Sequence, residues 1–295
     1  MFEPGFFSSQ PVHVALIVGG ITAVVSAVAG VFTVLRGQSF AGHSLADVST
    51  AGGSGAVLLG MSPLTGFISG GLIGAAAMDL FGIQRVRGRD LATGIVLGAS
   101  IGLAALFLFL DTSAGAETGA TQQILFGSIF TIDSSTVPIV AIFGSASLAV
   151  MAAIYRPLLL SSMSSDVAAA RGVPVRLVGL LFILALALAV GLSALSIGAI
   201  LSTALLIGPA AAALRVTRRV GLSIAVACVI GVGATWLGVL LAYDSYYWGS
   251  SRRGLPVSFF IVGVTFLAYV ASGLPVFHAL VDRRPDTAAP DAGER

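Results

Sequence analysis

The amino-acid sequence predicts an all-α polytopic membrane protein. Of the 295 residues, 57% are hydrophobic and only 9% are charged, whereas a soluble domain carries about a quarter charged residues. Several apolar runs are long enough to cross a hydrocarbon core about 30 Å thick, which takes about 20 helical residues. The 37 glycines favour close packing between helices in lipid. Together these observations predict a bundle of membrane-spanning helices.

Nine apolar runs supply the candidate transmembrane helices. They cover residues 12–35, 44–61, 64–81, 91–110, 137–155, 177–194, 197–214, 222–242 and 257–277. The turn between the sixth and seventh runs, at 193–198, is very tight, so eight crossings with one run re-entrant or lying flat is the alternative. We expect about nine transmembrane helices in one domain over residues 1–281, followed by a disordered polar tail over residues 282–295.

All 15 basic residues are arginines, and their spacing predicts the orientation of the helices. Two apolar runs separate each cluster from the next: Arg36; Arg85, Arg87 and Arg89; Arg156, Arg171 and Arg176; Arg215, Arg218 and Arg219; Arg283 and Arg284. Because cytoplasmic loops collect basic residues, we expect all five clusters in the cytoplasm. The N-terminus is then outside and the tail inside, in a cell inner (plasma) membrane. Arg252 and Arg253 are the one exception to the pattern.

The same composition argues against two classes of function. A phosphate-binding P-loop requires a lysine, and the sequence has none, so the chain binds no nucleotide through that motif. The sequence pI near 9.0 comes from loop arginines and does not indicate nucleic-acid binding. The single cysteine, Cys228, has no partner for an internal disulfide.

Two ionisable residues, His43 and Asp47, stand four positions apart at the start of the second apolar run. On a helix this spacing puts both side chains on one face. Ionisable groups within membrane spans are costly and usually face a bundle interior or a pathway. An imidazole and a carboxylate suit divalent Zn, Mn or Fe, so the pair is a candidate metal site that needs further ligands. The alternative is that both residues only cap or solvate a helix start.

Two stretches outside the nine runs predict short helices. Residues 122–133, QQILFGSIFTID, are apolar but too short to span a bilayer, which indicates a re-entrant or interfacial helix on the outer side. Residues 161–172, SSMSSDVAAARG, fall on the cytoplasmic side. There Ser164, Ser165 or Asp166 can cap a short helix, and Gly172 ends it.

The cytoplasmic stretch contains Asp166, Ala168 and Gly172 in the pattern D-x-A-x-x-x-G. We expect Asp166 to cap the helix, Ala168 to face a groove in a partner protein and Gly172 to take a left-handed conformation. An ordinary capped loop helix is the alternative.

Gly208 and Pro209, in the seventh run, predict a helix break on a transport path. A proline inside a helix removes a backbone hydrogen bond, and broken helices recur in transport pathways. A plain packing kink is the alternative.

Four segments, in their order along the chain, resemble the permease subunit of ABC-type metal ion importers of the zinc/manganese/iron family. RGQSFAGHSLAD is similar to the segment after that family's first span, and LFGSIF to its outer re-entrant piece. SSDVAAARG resembles the loop that docks on the ATPase, and GAILSTALLIGPAAAA resembles a late glycine-to-proline span. The resemblance covers nearly the whole chain except the terminal tail.

The resemblance implies a permease without catalytic activity of its own and without a permanently bound cofactor. Two copies, a homodimer in the simplest case, would surround a central path for the transported metal ion. A cytoplasmic ABC ATPase would dock on Asp166, Ala168 and Gly172, and an extracytoplasmic binding protein would deliver the metal. The family usually has aspartate at the position of His43 and histidine at that of Asp47, so the two ligand types are exchanged here.

Two other transport classes compete with this interpretation. An ion-coupled secondary transporter would show intramembrane acids at several depths and an internal repeat, and the sequence has few such acids and no repeat. An ABC permease for chelated iron or cobalamin would have a larger, less polar path, in which His43 and Asp47 would be structural. Among metals, Zn, Mn and Fe all accept nitrogen and oxygen ligands, so the sequence does not choose between them.

Overall fold

The computed structural model describes residues 9–80, 89–113, 129–248 and 254–274, together with Phe6, Ile124, Phe126 and Gly127. Regular secondary structure in these residues is entirely helical, which confirms the all-α prediction. In chain order the helices are α1 (Gln10–Leu35), α2 (Ser39–Leu58), α3 (Pro63–Leu80), α4 (Arg89–Ser113), α5 (Thr136–Ala153), α6 (Tyr155–Met163), α7 (Ser165–Ala170), α8 (Val175–Ile197), α9 (Ala199–Val216), α10 (Val220–Ser245) and α11 (Val257–Ala271).

Six of these helices are long and apolar enough to cross a membrane. They are α1, α3, α5, α8, α10 and the part of α4 over Thr93–Asp111. Two shorter apolar helices, Leu201–Val216 within α9 and Val257–Ala271, accompany them. The protein is therefore a multi-pass membrane protein, while the count of nine crossings stays a prediction.

The second helix, α2, is not among the six because its sequence is too polar. Its 20 residues include four serines, one threonine, His43 and Asp47. Most of its surface is nevertheless covered, since α3, α4, α8 and α9 all pack against it. A polar helix that other helices shield from lipid is the expected carrier of a polar pathway.

Glycines allow α3 to pack closely against α2. Gly66, Gly70 and Gly74 recur every four residues along one face of α3. A Cβ atom added at Gly70 would lie 2.8 Å from the Cα of Gly52 and 3.0 Å from the carbonyl oxygen of Val48. Small residues at this spacing allow two backbones to approach closely in a membrane. The packing fixes the position of the helix that carries His43 and Asp47.

The centre of the bundle is formed by α1 and α8. Helix α1 contacts α5, α8, α9 and α10, and α8 also contacts α3 and α5. Phe32 on α1 and Phe182 on α8 are fully buried within the same apolar cluster. Because lipid tails are as apolar as these side chains, van der Waals packing holds the two helices together.

The tight turn expected at 193–198 is a single residue between two helices. Gly198 joins α8 to α9 with a φ of 95°, a conformation that glycine adopts without steric cost. The second element at this corner is Gly127, whose φ is 75°. A Cβ atom at Gly127 would collide with the backbone of Ile197 and Gly198, so the 122–133 stretch contacts the α8–α9 corner.

The 122–133 stretch is described only in part, and a re-entrant helix is not confirmed there. Its described residues include a 3₁₀ turn, Ile129–Thr131. Ile129 is buried in a cluster with Val12, Ala15 and Val239, so this turn packs beside the first turns of α1. The arginines at 252 and 253 and the tail 282–295 lie outside the described residues.

The predicted helix break at Gly208 and Pro209 is wrong. Helix α9 runs from Ala199 to Val216 with Pro209 inside it. Membrane helices tolerate an internal proline because neighbouring helices and local adjustments compensate for the lost hydrogen bond. Gly208 serves a close approach instead, since a Cβ atom there would collide with the side chain of Thr265 on α11.

A break that the apolar pattern did not predict separates α5 from α6. The fifth run ends as a helix at Ala153, and α6 begins at Tyr155. Pro157 explains this position, because a proline ring clashes with the carbonyl group four residues earlier, here that of Ala153. The turn directs the chain into α6 and α7.

Arginines from separate clusters meet at one end of the bundle. The Nη1 atom of Arg36, after α1, donates to Ser161 Oγ at 3.1 Å, near the end of α6. Arg176, at the start of α8, lies 3.8 Å from Asp79, near the end of α3. These contacts agree with the prediction that alternate links share one side.

Candidate metal site and coupling segment

His43 and Asp47 lie on the same face of α2, as their spacing predicts. Nε2 of His43 is 3.8 Å from Oδ2 of Asp47. The exposed fraction of the histidine side chain is 40%, and that of the aspartate is 16%. The pair is therefore accessible at the histidine and largely enclosed at the carboxylate.

The carboxylate of Asp47 has an unused ligand atom. Its Oδ2 atom is buried and accepts no hydrogen bond from the residues that the structure describes. A buried carboxylate oxygen without a donor is costly, and a cation beside it would remove that cost. Two ligands about 2.1 Å from one ion lie about 3.0–3.4 Å apart. The observed separation of 3.8 Å would have to shorten slightly to bind a metal.

A third side chain, Thr203 on α9, completes the local arrangement. Its Oγ1 atom is 2.9 Å from Nδ1 of His43, a contact between residues 160 positions apart. Thr203 was not predicted from the sequence pattern. The signal available was a hydroxyl in an otherwise apolar run, which on its own is equally typical of a threonine bonded to its own helix.

The pair does not form a complete metal site by itself. Within the described residues, no group of three or more His, Cys, Asp or Glu side chains lies close enough to hold a metal ion. His43 and Asp47 supply one nitrogen and one oxygen donor, a set that suits Mn, Fe or Zn. Any further ligands must come from hydroxyls, carbonyls, water or a second chain.

The pair belongs to a surface that this chain leaves partly uncovered. We define the α2–α9 face by Phe40, His43 and Asp47 on α2 and Ile207 and Ala211 on α9. Phe40 is 44% exposed, and the other four are partly exposed. Their spacings of three and four residues put each set on one side of its helix. The face extends from His43 and Asp47, called the metal pair from here on, along both helices.

The predicted coupling helix is present as α7, but its cap differs from the prediction. The backbone N–H of Val167 donates to Ser164 Oγ at 3.3 Å, so Ser164 is the N-cap. Asp166 lies in the first turn of the helix instead, where the positive end of the helix dipole stabilises its negative charge. The assignment of Asp166 as the cap is therefore corrected to Ser164.

Ala168 does not face a partner groove. Its side chain is fully buried within this chain, because the short helix turns that side toward its own neighbours. The exposed positions of α7 are Ser165, Asp166, Val167, Ala169 and Ala170. Just before α7, Met163 is 81% exposed. These residues, and not Ala168, form the exposed surface of this segment.

Gly172 ends α7 in the predicted left-handed conformation, with a φ of 77°. The N–H of Val173 donates to the carbonyl of Ala168 at 3.0 Å, and that of Gly172 donates to the carbonyl of Ala169 at 2.9 Å. These two bonds define a Schellman motif. The prediction for Gly172 is confirmed in conformation, while its role in coupling stays a prediction.

Arg36 connects the two regions. It follows α1 directly and lies seven residues before His43. Its guanidinium group donates to Ser161 Oγ at 3.1 Å and to Ser162 Oγ at 3.5 Å, both in the last turns of α6. It also lies 5.4 Å from the ring centroid of Phe182. The end of α6 and the start of α2 are thus joined through one side chain.

Comparisons with known proteins match nearly the whole chain. The model of the ABC 3 transport family matches residues 8–271. The manganese transport system membrane protein MntC of Halalkalibacterium halodurans is 27% identical over 240 residues, which cover 81% of this chain and 80% of that protein. The manganese import system permease protein ScaB of Streptococcus gordonii is 28% identical over 230 residues, which cover 78% of this chain and 81% of that protein.

A solved structure has the same fold. PsaBC from Streptococcus pneumoniae, in complex with Fab, superposes with a TM-score of 0.78 at 25% sequence identity. The superposition covers 92% of this chain and 93% of that chain. The family match includes the α2 pair, α7 and α9, and it confirms the resemblance drawn from the four sequence segments.

Proposed function

Because the chain belongs to the ABC 3 transport family, we propose that it is the permease of an ATP-driven importer for a divalent transition metal ion. The observation that carries the proposal is the His43–Asp47 pair, 3.8 Å apart on the partly open face of α2. Nitrogen and oxygen donors bind such ions. The names of MntC and ScaB support manganese as the first candidate, while zinc and iron accept the same donors.

The transport path would run between two copies of the chain. The α2–α9 face exposes Phe40 together with an ionisable pair, a combination that lipid would not cover favourably. A second copy of the permease packed on this face would exclude lipid and bring two pairs toward one axis. The missing metal ligands would then come from the partner copy, from backbone carbonyls or from water.

Energy would be supplied by a separate cytoplasmic ATPase that docks on α7. The exposed residues Asp166 and Val167, with Met163 before the helix, offer an acidic and apolar surface. Arg36 would couple that surface to α2 through Ser161 and Ser162. In this arrangement ATP hydrolysis takes place in the partner, and the permease itself performs no chemistry.

The proposed orientation puts the arginine-rich end in the cytoplasm of an inner (plasma) membrane. The N-terminus then lies outside, nine helices cross, and an extracytoplasmic binding protein delivers the metal at the opposite end. Contacts of Arg36 and Arg176 with distant helices support a shared end for these arginines, and the excess of arginine at that end favours the cytoplasm. A cysteine introduced as Arg171→Cys should react with a thiol reagent only from the cytoplasmic side.

The competing transport classes are less well supported. An ion-coupled secondary transporter would not require a docking helix, and the family match is to an ABC transport family. A permease for chelated iron or cobalamin would leave His43 and Asp47 without a ligand role. The relatives named for manganese favour a metal ion over a large chelate.

The direct test is Mn²⁺ uptake by the permease reconstituted in proteoliposomes with its ATPase and its extracytoplasmic binding protein. His43→Ala and Asp47→Ala should each reduce uptake by more than about 100-fold, because each removes one of two direct ligands. His13→Ala, at an exposed position of α1, is the matched control and should leave uptake unchanged. Uptake near the wild-type level in both pair variants would mean that the pair only begins a helix.

A further inference from the structure

We propose that Thr203 is a positioning residue for the metal pair, which aims the imidazole of His43 at Asp47 from the neighbouring helix. The inference rests on the proposed function, since it concerns the same pair. Thr203 Oγ1 lies 2.9 Å from His43 Nδ1, within the range of a hydrogen bond between a ring nitrogen and a hydroxyl. No other polar side chain of α9 has a described hydrogen bond to the pair.

The contact decides which ring nitrogen remains for a metal. His43 has two ring nitrogens on different sides of the imidazole, and Nδ1 is engaged by Thr203. The other nitrogen, Nε2, is the one that faces Oδ2 of Asp47 at 3.8 Å. A neutral imidazole that keeps its lone pair on Nε2 carries its proton on Nδ1. In that tautomer Nδ1–H donates to Thr203 Oγ1, and Nε2 is free to bind the ion.

The packing of α2 against α9 holds the hydroxyl at this distance. Gly42, next to His43, faces Leu206, one turn after Thr203. A Cβ atom at Gly42 would lie 2.8 Å from Leu206 Cδ2, so the two helices approach closely beside the metal pair. Leu206 is itself buried, with 1% exposure. The separation of the helices is therefore set within one turn of the hydrogen bond.

The first turn of α9 is also anchored. Ser202 Oγ donates to the carbonyl of Ala199 at 2.9 Å, and Ser193 Oγ on α8 donates to the carbonyl of Ser202 at 3.4 Å. Both serines are buried. Thr203 thus projects from a backbone that is tied to α8, and this rigidity is what a residue that orients a metal ligand requires.

The consequence is that the metal pair depends on two helices rather than one. His43 and Asp47 are fixed relative to each other by α2, but the ring orientation of His43 is fixed by α9. A shift of α9 along α2 would remove the hydrogen bond and release the imidazole. Ligands held by such outer contacts typically lose 10–100-fold in metal affinity when the contact is removed.

The test compares two substitutions that separate the hydroxyl from the volume of the side chain. Thr203→Val keeps the shape and removes the hydroxyl, and Thr203→Ser keeps the hydroxyl. Both are measured as the full permease reconstituted with its ATPase and its extracytoplasmic binding protein. We expect Thr203→Val to raise the KM for Mn²⁺ uptake about 10–100-fold, with the maximal rate within about twofold of wild type. Thr203→Ser should stay within about threefold of the wild-type KM.

Thr235→Val on α10 is the matched control, because Thr235 bonds only the carbonyl of Gly231 in its own helix among the contacts described. It should leave KM unchanged. If Thr203→Val assembles poorly, Thr203→Ala provides the same loss of the hydroxyl, and equilibrium Mn²⁺ binding to the purified dimer replaces the uptake measurement. The expected change in Kd is again about 10–100-fold.

Three outcomes would overturn the inference: an unchanged KM in Thr203→Val, a Thr203→Ser variant as defective as Thr203→Val, or a loss confined to the maximal rate. The last two would indicate a structural role for the side chain. Failure of the proposed function is recognised separately, by wild-type uptake in both His43→Ala and Asp47→Ala. If those two variants lose uptake while Thr203→Val does not, only the role of Thr203 fails.

Discussion

The proposed metal pair, His43 and Asp47, and the proposed coupling helix α7 are built in two different ways. His43 and Asp47 depend on polar contacts, with Thr203 at 2.9 Å on one side and, on the other, a carboxylate oxygen that accepts no hydrogen bond from the residues that the structure describes. Helix α7 depends on shape and backbone conformation, with a buried alanine inside and a left-handed glycine at its end. Uptake should therefore be sensitive to substitutions that change the polar groups of the first region without changing side-chain volume. In the second region it should be sensitive to substitutions that change side-chain volume without changing polarity.

The largest effect is expected from Ala168→Trp in α7. Ala168 is fully buried in its own chain, and overpacking a fitted site typically costs about 1–3 kcal/mol, and more for so large a side chain. The helix should be displaced, so that Mn²⁺ uptake stops and the ATPase no longer co-purifies. Membrane insertion and abundance of the permease should remain near wild type.

Ala169→Trp is the matched variant, because Ala169 is exposed on the same helix. It should leave the thermal stability of the purified permease unchanged while reducing co-purification of the ATPase. A normal transport rate and full ATPase recovery in Ala168→Trp would place the docking surface elsewhere and remove the proposed contrast between the two regions.

An exchange of the two metal ligands tests chemistry at nearly constant composition. The double variant His43→Asp with Asp47→His keeps one imidazole and one carboxylate on the same face of α2. It should retain between about a tenth and a half of wild-type Mn²⁺ uptake, because the donor atoms persist but the contact with Thr203 changes. Either alanine variant should retain about a hundredth or less, because one donor is lost. Uptake as low as in the alanine variants would show that the order of the ligands is fixed.

Gly172→Val probes the backbone at the end of α7. Gly172 has a φ of 77°, and a Cβ atom there would meet no neighbour within 4 Å, so the effect isolates the backbone conformation from packing. A left-handed conformation costs a side-chain-bearing residue about 1–2 kcal/mol. We expect uptake to fall several-fold, with partial loss of the ATPase in co-purification. Uptake should fall less in Gly172→Asn, because asparagine tolerates this conformation. Equal losses of uptake in both variants would contradict the explanation.

The smallest effect is expected from Ser164→Ala, which removes the N-cap of α7. The hydrogen bond from Val167 to Ser164 Oγ is 3.3 Å long and exposed, and an N-cap contributes about 1 kcal/mol. Co-purification of the ATPase should weaken by less than about fivefold. Ser165→Ala, one residue later and exposed, is the control, and a larger loss in that variant would mean that Ser164 does not act as the cap.

Local patterns along the chain predicted what a single helix determines. The apolar runs located the helices, and the four-residue spacing of His43 and Asp47 predicted their shared face because helix geometry alone fixes it. Gly172 was predicted for the same reason, since the end of a helix selects a left-handed glycine. Each of these features involves residues within one or two turns of each other.

Features that depend on tertiary packing were not predictable in this way. Thr203 contacts His43 although the two residues are 160 positions apart in the sequence. The side of α7 that is buried, and with it Ala168, is determined by the elements around α7 rather than by the six residues of the helix. The continuity of α9 through Pro209 likewise depends on its neighbours. The break after Ala153 could have been inferred, because Pro157 stands four residues later and its ring excludes a continuous helix there.

The central proposal is that His43 binds the transported ion. Pulsed electron paramagnetic resonance of Mn²⁺ bound to the purified permease tests it most directly. A manganese-bound imidazole gives a ¹⁴N hyperfine coupling. This coupling is expected in the wild-type protein and in His13→Ala, and its loss is expected in His43→Ala. A ¹⁴N coupling that persists unchanged in His43→Ala would show that the ion is bound by another residue and would contradict the account.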